Sequence, residues 1–410
     1  MNTQKAEAVI IGGGPAGMMA AITAAARSRD VLLIEHEPFC GKKLRITGKG
    51  RCNVCNNCDV KTFLQNVPRN PKFLYSALNR FTPSDTITFF EALGVPLKTE
   101  RGNRVFPVSD NAHDVARALE REIKRLGVRL LIAEAREVRI DAGAVTGVVT
   151  SAGTIACESV LIATGGVSYP LTGSTGDGHR MAAALGHHIE PLRPSLVPLE
   201  SDDAFCGEMQ GFSLKNVLLR VYDGADKLVF SELGELLFTH FGVSGPLVLS
   251  ASAHMRDLGS ETYRLEIDLK PGLDEKKLDA RLLRDFEKYK NRDFANALCD
   301  LAGRSMIPVL VRRSGIPPEA KVHSVTRAQR QALLRLLKAF PVSVRGARPI
   351  GEAIVTSGGV SVQEVDPRSM QSKLVSGLYF AGEVLDVDAY TGGFNLQIAW
   401  STGYTAGNYL

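Results

Sequence analysis

The strongest constraint on this chain lies in its first 35 residues. Ala8-Val-Ile-Ile-Gly-Gly-Gly-Pro-Ala-Gly17 is followed by a run of small residues and then by Val31-Leu-Leu-Ile-Glu35. The pattern reads as strand, tight glycine turn, helix (Pro15 to Ser28), second strand and terminal acid. Gly12, Gly14 and Gly17 fit G-x-G-x-x-G. The first glycine makes the turn, the second lets backbone approach a pyrophosphate, and the third lets helix and strand pack closely. Pro15 occupies the first helical turn, where a missing N–H costs nothing. The free N–H groups around Ala16 and the positive helix end then face the pyrophosphate. Glu35, 23 residues after Gly12 and next to His36, is placed to accept hydrogen bonds from both ribose hydroxyls. A carboxylate there repels a 2′-phosphate, so the pattern suits FAD or NAD better than NADP.

A chain of 410 residues is long enough for two or three domains with substantial cores. Its net charge is +5, from 49 basic and 44 acidic residues, and along the whole chain the charge reads as mild and evenly spread. That balance argues against a nucleic-acid partner and against an anionic membrane. No apolar run reaches the ~18 residues that span a bilayer. Glu7 precedes the first strand, unlike the start of a signal peptide. Seven cysteines, three of them within residues 52–58, do not resemble a secreted disulfide framework, so a reducing cytoplasm is expected.

Past Glu35 runs a basic, glycine-rich loop, Cys40-Gly-Lys-Lys-Leu-Arg-Ile-Thr-Gly-Lys-Gly-Arg-Cys-Asn53. Lys42, Lys43, Gly50, Arg51, Cys52 and Asn53 are candidates to hold phosphate oxygens and a flavin edge. The alternative is a solvated loop. Cys52, Cys55 and Cys58 lack the fourth ligand expected of an iron–sulfur or zinc site, so no metal is expected. They read as packed cysteines ahead of a redox dithiol. Residues 71–93 look helical, Asp110 to Leu126 is an amphipathic helix, and three short strands fill Glu137–Ala156. Ser159-Val-Leu-Ile-Ala-Thr-Gly-Gly166 is a buried strand with a glycine turn, making Ala163, Thr164, Gly165 and Gly166 a second cofactor contact.

Pro191, Pro194 and Pro198 mark a linker leaving the first domain. Residues 200–270 are strand-rich and 273–338 helical and charged, with the basic helix Thr326 to Phe340 read as a solvated face. Two strand-then-glycine units, Glu352–Val360 and Gly377–Glu383, are expected to rejoin the first sheet and bring Gly382 and Glu383 to the cofactor. The segment Gly392-Gly-Phe-Asn-Leu396 opens an apolar C-terminal helix. Its N-terminus suits the pyrimidine edge of a reduced flavin, which carries negative charge.

Several motifs carry a resemblance across nearly the whole chain. They include Gly-Gly-Gly-Pro-Ala-Gly17, Gly-Arg-Cys-Asn53, Arg-Val-Phe-Pro107, Ala-Thr-Gly-Gly-Val-Ser-Tyr-Pro170, Leu-Phe-Thr-His-Phe-Gly-Val-Ser-Gly-Pro246 and Thr-Gly-Gly-Phe-Asn-Leu-Gln397. The chain resembles the bacterial flavoprotein family that includes 3-dehydro-bile acid Δ4,6-reductase and aminoacetone oxidase. The resemblance implies an α/β fold of glutathione-reductase type. A split Rossmann-like FAD-binding domain (1–190 and 346–410) would surround an inserted β-barrel-like domain with a helical lobe (191–345). It also implies one non-covalent FAD. Where the family reads threonine this chain has Cys55, so a dithiol role is not implied.

The expected function is an oxidoreductase passing hydride through flavin N5 to a small-molecule substrate. The favoured reaction is reduction of a C=C bond conjugated to a ketone, as in 3-oxo-Δ4 steroid acids, with NAD(P)H docking transiently because only one dinucleotide fingerprint is visible. Oxidation of a small amine by O2 is the alternative. An RNA-modifying flavoprotein and a non-catalytic flavin binder are the remaining classes. Tyr169 and Tyr390, beside flavin-facing turns, are candidates for holding the carbonyl or donating a proton, with His240 third. The oligomeric state is not legible.

Overall fold

The computed structural model describes residues 4–255, 258 and 261–410. They form two compact units. One runs to Ser195 and resumes over Pro349–Leu410; the other is Leu196–Arg348.

In the first unit five parallel strands lie in the order Leu378–Phe380, Ser159–Ile162, Ala8–Ile11, Val31–Glu35, Arg129–Ile132. The three central strands are apolar on both faces, as a parallel sheet covered on both sides requires. Their register pairs Ile162 with Ile11 and with Phe380, and Ile11 with Ile34. Four strand ends therefore finish level, and Gly12, Glu35, Ala163 and Gly382 emerge along one carboxyl edge. That edge is where ligands bind in open α/β sheets.

Helix Pro15–Ala25 leaves the first turn and packs against the C-terminal helix Phe394–Gly407. Both are buried nearly all round, so neither shows an amphipathic stripe. Their approach is close because of glycine: a Cβ on Gly403 would overlap the Ala16 carbonyl, and one on Gly407 would lie 2.6 Å from that of Ala20. Buried Trp400 donates to Val54 O (2.9 Å), while Gln397 donates to Phe81 O (3.1 Å) and accepts from Thr86 Oγ1 (2.8 Å). These bonds satisfy polar groups that burial would otherwise leave unpaired. The amphipathic helix forms over Ala112–Arg125, capped by Asn111, with Val115, Leu119 and Ile123 buried.

Two expectations need correction. The prolines at 191 and 194 do not mark a linker: Ile189–Ser195 is a strand, antiparallel to Val355–Val360. Its register shifts between Glu190 and Arg193, around Pro191, which has no N–H to give to a ladder. Glu352–Val360 accordingly does not rejoin the parallel sheet; it completes this separate pair, and only Leu378–Phe380 returns.

The second unit is a seven-stranded antiparallel sheet. Its order is Phe340–Ser343, Arg264–Asp268, Ser213–Tyr222, Leu228–Thr239, Gly242–Ser244, Leu199–Glu200, Gly346–Ala347. Helices Glu275–Lys288, Phe294–Ala297, Ile307–Ser314 and Arg327–Lys338 form its lobe. The last of these stops at Lys338, two residues short of Phe340, which belongs to a strand. Among the described residues no helix is long and apolar enough to cross a membrane.

Candidate functional site

The three fingerprint glycines do three different physical jobs. Gly12 has φ +105°, and a Cβ there would lie 2.6 Å from Ala163 O, so turn and neighbouring strand both require glycine. A Cβ on Gly17 would overlap the Gly12 carbonyl oxygen. Gly14, by contrast, has nothing within 4 Å of its Cβ position: open space lies where a ligand must approach. Helix Pro15–Ala25 begins there with no side-chain cap. Ala16 and Gly17 therefore present free N–H groups beside the helix's positive end. Glu35 closes the turn, its Oε2 accepting from Gly13 N (2.8 Å) and its Oε1 from Glu37 N (2.9 Å). Each carboxylate oxygen keeps a second lone pair for a hydroxyl donor.

Further along the same edge, the second and last glycine turns meet in a polar cluster. Lys43 Nζ donates to Ser168 Oγ (2.8 Å) and Glu383 Oε2 (2.9 Å). Glu383 Oε1 also accepts from Thr356 N (2.8 Å), and Thr356 Oγ1 accepts from Val167 N (2.9 Å) and Ser168 N (3.1 Å). Gly166 packs against Thr356 so closely that a Cβ would collide with its hydroxyl. Lys43, Gly166 and Glu383 are legible in the sequence. Ser168 and Thr356 are not, because neither residue type announces that one carboxylate, Glu383, will collect them.

At the other end, Gly392 and Gly393 have φ +119° and +99° and open the C-terminal helix without a side-chain cap. Asn395 pins this turn by bonds to Ala389 N (2.9 Å) and O (2.7 Å). Phe394 stacks edge-on against Phe63, and Leu396 is half-buried. The strand Cys55–Asn56 lies against the two glycines, with Asn56 Nδ2 donating to Gly392 O (3.0 Å). This contact packs the cysteine-rich segment against the helix N-terminus. Burial pushes the Cys52 thiol up to about 12 and that of Cys58 up to about 11, and raises that of Cys55. Among the described residues no group of His, Cys, Asp or Glu is placed to hold a metal ion.

Not every candidate points the same way. Lys42 pairs with Glu37 (2.9 Å), and His36 sits beside Glu37 and the Gly173 backbone. Gly50 has open space at its Cβ position. Arg51 lies over Phe106 (4.1 Å) and is held by Glu100 and Asp110. Tyr169 is exposed with φ +52°, a left-handed conformation unusual for tyrosine. Tyr390 is half-buried, its N–H given to Asn66 O (3.0 Å). The segment before it is fixed by buried carboxylates: Asp386 pairs with Arg69 and accepts from Asn70, and Asp388 accepts from Ser195 (2.6 Å) and Ser357 (2.9 Å). His240 belongs to the other unit, exposed and edge-on to Phe241.

An FAD fits these residues on two observations. Asn53 Oδ1 and Thr164 Oγ1 are buried without a hydrogen-bond partner, a costly state that a polar ligand relieves. Both lie at glycine turns of the edge, Asn53 against Gly393 and Thr164 against Gly178. Two uncapped helix N-termini, at Gly14 and Gly393, supply further donors. Buried His179, missed from the sequence, lies near Gly359, and burial holds its ring below the usual histidine range.

The chain is 30% identical to a 3-dehydro-bile acid delta(4,6)-reductase of Clostridium scindens, over 97% of each. It is 31% identical to a ribosomal RNA dihydrouridine synthase of Escherichia coli, over 99% of this chain and 98% of that one. Its fold resembles the open conformation of a flavocytochrome c3 fumarate reductase. That match has a TM-score of 0.53 at 16% identity and covers 99% of this chain and 78% of the other. The model of the HI0933-like protein Rossmann domain matches residues 6–409, and the chain belongs to that family.

Proposed function

We propose that this chain holds one FAD non-covalently and reduces a carbon–carbon double bond conjugated to a carbonyl. The observation that carries the cofactor is the convergence, on one sheet edge, of two uncapped helix N-termini with the unpaired polar atoms of Asn53 and Thr164. Bound FAD supplies hydride exchange, two electrons at a time. Gly14, Pro15, Ala16 and Gly17 hold the pyrophosphate, Glu35 the ribose, and Gly393 to Leu396 the pyrimidine edge.

The two named relatives support the reaction type. One is named for reducing a bile acid and the other for making dihydrouridine. A 3-oxo-Δ4 steroid and a uracil ring share one reactive unit, a C=C bond conjugated to C=O. Two electrons and one proton arrive as hydride at the β-carbon, a second proton goes to the α-carbon, and NAD(P)H is oxidised overall. The chain must polarise the carbonyl and deliver that second proton. Tyr169 and Tyr390 are the residues assigned to these tasks.

An anaerobic experiment tests the reading. The bound FAD is reduced with NADH or NADPH, then mixed with a 3-oxo-Δ4 steroid acid or with a uridine-containing ribosomal RNA fragment. Reoxidation by either supports the reductase. If neither reoxidises it and a small amine such as aminoacetone bleaches oxidised FAD, the chain is an amine oxidase and the reading falls.

A further inference from the structure

The even spread of charge along the whole chain conceals one exception. Residues 273–338, the helical lobe, carry fifteen Lys and Arg against eight Asp and Glu, a net +7 in a protein whose total is +5. Most of the lobe's acids are already neutralised inside it. Asp279 pairs with Arg330, Asp285 with Arg281, Asp300 with Lys288, Glu287 with Lys290, Asp293 with Lys321 and Asp274 with Lys277. Helix Arg327–Lys338 contains no acid at all.

The surplus is arranged. Helices Glu275–Lys288 and Arg327–Lys338 pack side by side. Arg330 and Gln331 reach Asp279, while Lys338 donates to Leu273 O (2.8 Å), so the helices run antiparallel. In this register Lys276 lies across from Arg335, and Arg284 across from Arg327. On each helix the two cations are eight residues apart, which puts them near one face and ~12 Å apart along the axis. All four are exposed. No acidic partner within ion-pair distance is found for them among the described residues.

We propose that this helix pair docks RNA, gripping backbone phosphates with Lys276, Arg284, Arg327 and Arg335. The inference rests on the reductase reading and narrows its substrate to a uracil ring carried in RNA. A row of cations ~12 Å long exceeds the span of one small acid's carboxylate and suits a polyanion, where each neutralised phosphate releases counterions. An anionic membrane fits less well. Among the described residues of the lobe, Leu283 (47% exposed) is the one large apolar side chain left in the open, whereas an interfacial helix buries a whole apolar face.

The test uses full-length holoprotein and a fluorescein-labelled, uridine-containing ribosomal RNA fragment, read by anisotropy. With four phosphate contacts, affinity falls by about a hundred-fold between 50 and 200 mM salt. The quadruple variant K276E/R284E/R327E/R335E loses more than ten-fold in affinity at fixed salt. Its FAD content, melting midpoint and rate of flavin reduction by NADH are unchanged. A control with the same charge change elsewhere, K61E/R117E/K124E/K215E, keeps most of its affinity. Equal losses in both variants overturn the lobe as the docking surface. Absent RNA binding at 50 mM salt, or binding only to phosphatidylglycerol vesicles, overturns the proposal while steroid reduction still upholds the reductase. Tight RNA binding through the lobe with no reoxidation by either acceptor overturns the reductase reading and leaves the docking surface standing.

Discussion

The carboxyl edge of the parallel sheet and the helical lobe of the second unit record function in different ways. At the edge, function is written in backbone geometry. Gly12, Gly17 and Gly393 stand where a Cβ would strike a carbonyl or carbonyl carbon, so no other residue serves, and the sequence shows it. In the lobe, function is written in a balance of charge. Any single Lys or Arg is replaceable there, and only the pairing of acids inside the fold exposes the surplus. Steric demands leave residue-specific marks; electrostatic ones leave a sum.

The sharpest way to break this comparison is to add one methyl group at each of two glycines. Gly17→Ala drives a Cβ into the Gly12 carbonyl and cannot be accommodated without parting helix from strand. The expected cost is about 3 kcal/mol or more, read as a large fall in melting midpoint and colourless protein. Gly14→Ala meets open space. The apoprotein should melt as the parent does, with loss only in FAD affinity. If both variants melt alike, the glycines are not divided between packing and ligand approach.

Glu35 comes next, with a smaller effect. Glu35→Ala removes a charge-assisted bond to Gly13 N and the acceptor proposed for the ribose. Bonds of this kind contribute roughly 1.5–3 kcal/mol, so FAD affinity should fall by about ten-fold or more in a titration of apoprotein. Thr164→Val sharpens the point. It removes a buried hydroxyl that has no partner, so the apoprotein should lose no stability, while FAD binds more weakly. A destabilised apoprotein with unchanged FAD affinity would make Thr164 structural.

The first half of the edge was legible because its constraint is local. Strand, glycine turn, helix and acid follow one another within 28 residues, and each element announces itself by period or by residue type. The edge's remainder is assembled from residues 168, 356 and 383, and nothing in Thr356 or Ser168 alone says that a shared carboxylate will collect them. The strand Ile189–Ser195 is hidden in the sequence for a related reason. Its prolines look like a linker until a partner strand and a bulge absorb the missing N–H groups. The lobe's +7 was present in the sequence but diluted by the chain's total.

A third prediction concerns pH and the first unit's buried imidazoles. Burial lowers the pKa of His179 and of His187, the latter despite Glu364 at 3.1 Å. Below the unfolded value near 6.5, the unfolded chain binds more protons than the native one, so native stability falls as pH drops. Each histidine contributes up to about 1.4 kcal/mol per pH unit in that window. The melting midpoint should decline between pH 7 and pH 5, and His179→Phe should flatten the decline. A profile as steep as the parent's would mean that His179 takes up a proton in the folded state as readily as in the unfolded one.

The smallest effect is expected at the cysteines, and it tests whether a local motif can be mere packing at a functional edge. Cys52 and Cys55 are buried, and their thiols are shifted far from the ionised form that attacks disulfides or flavins. With the Cys52 thiol at about 12, the thiolate fraction at pH 8 is on the order of 10⁻⁴. Iodoacetamide should therefore label exposed Cys299 first and leave Cys52 and Cys55 intact in the native protein. Cys52→Ser and Cys55→Ser should reduce their flavin with NAD(P)H at the parent's rate. A large loss of rate, or a long-wavelength charge-transfer band on two-electron reduction of the parent, would mean that the pair exchanges electrons with the flavin. The segment beside Gly393 would then be redox machinery placed at the helix N-terminus, and the edge would hold a chemical function that its backbone geometry does not reveal.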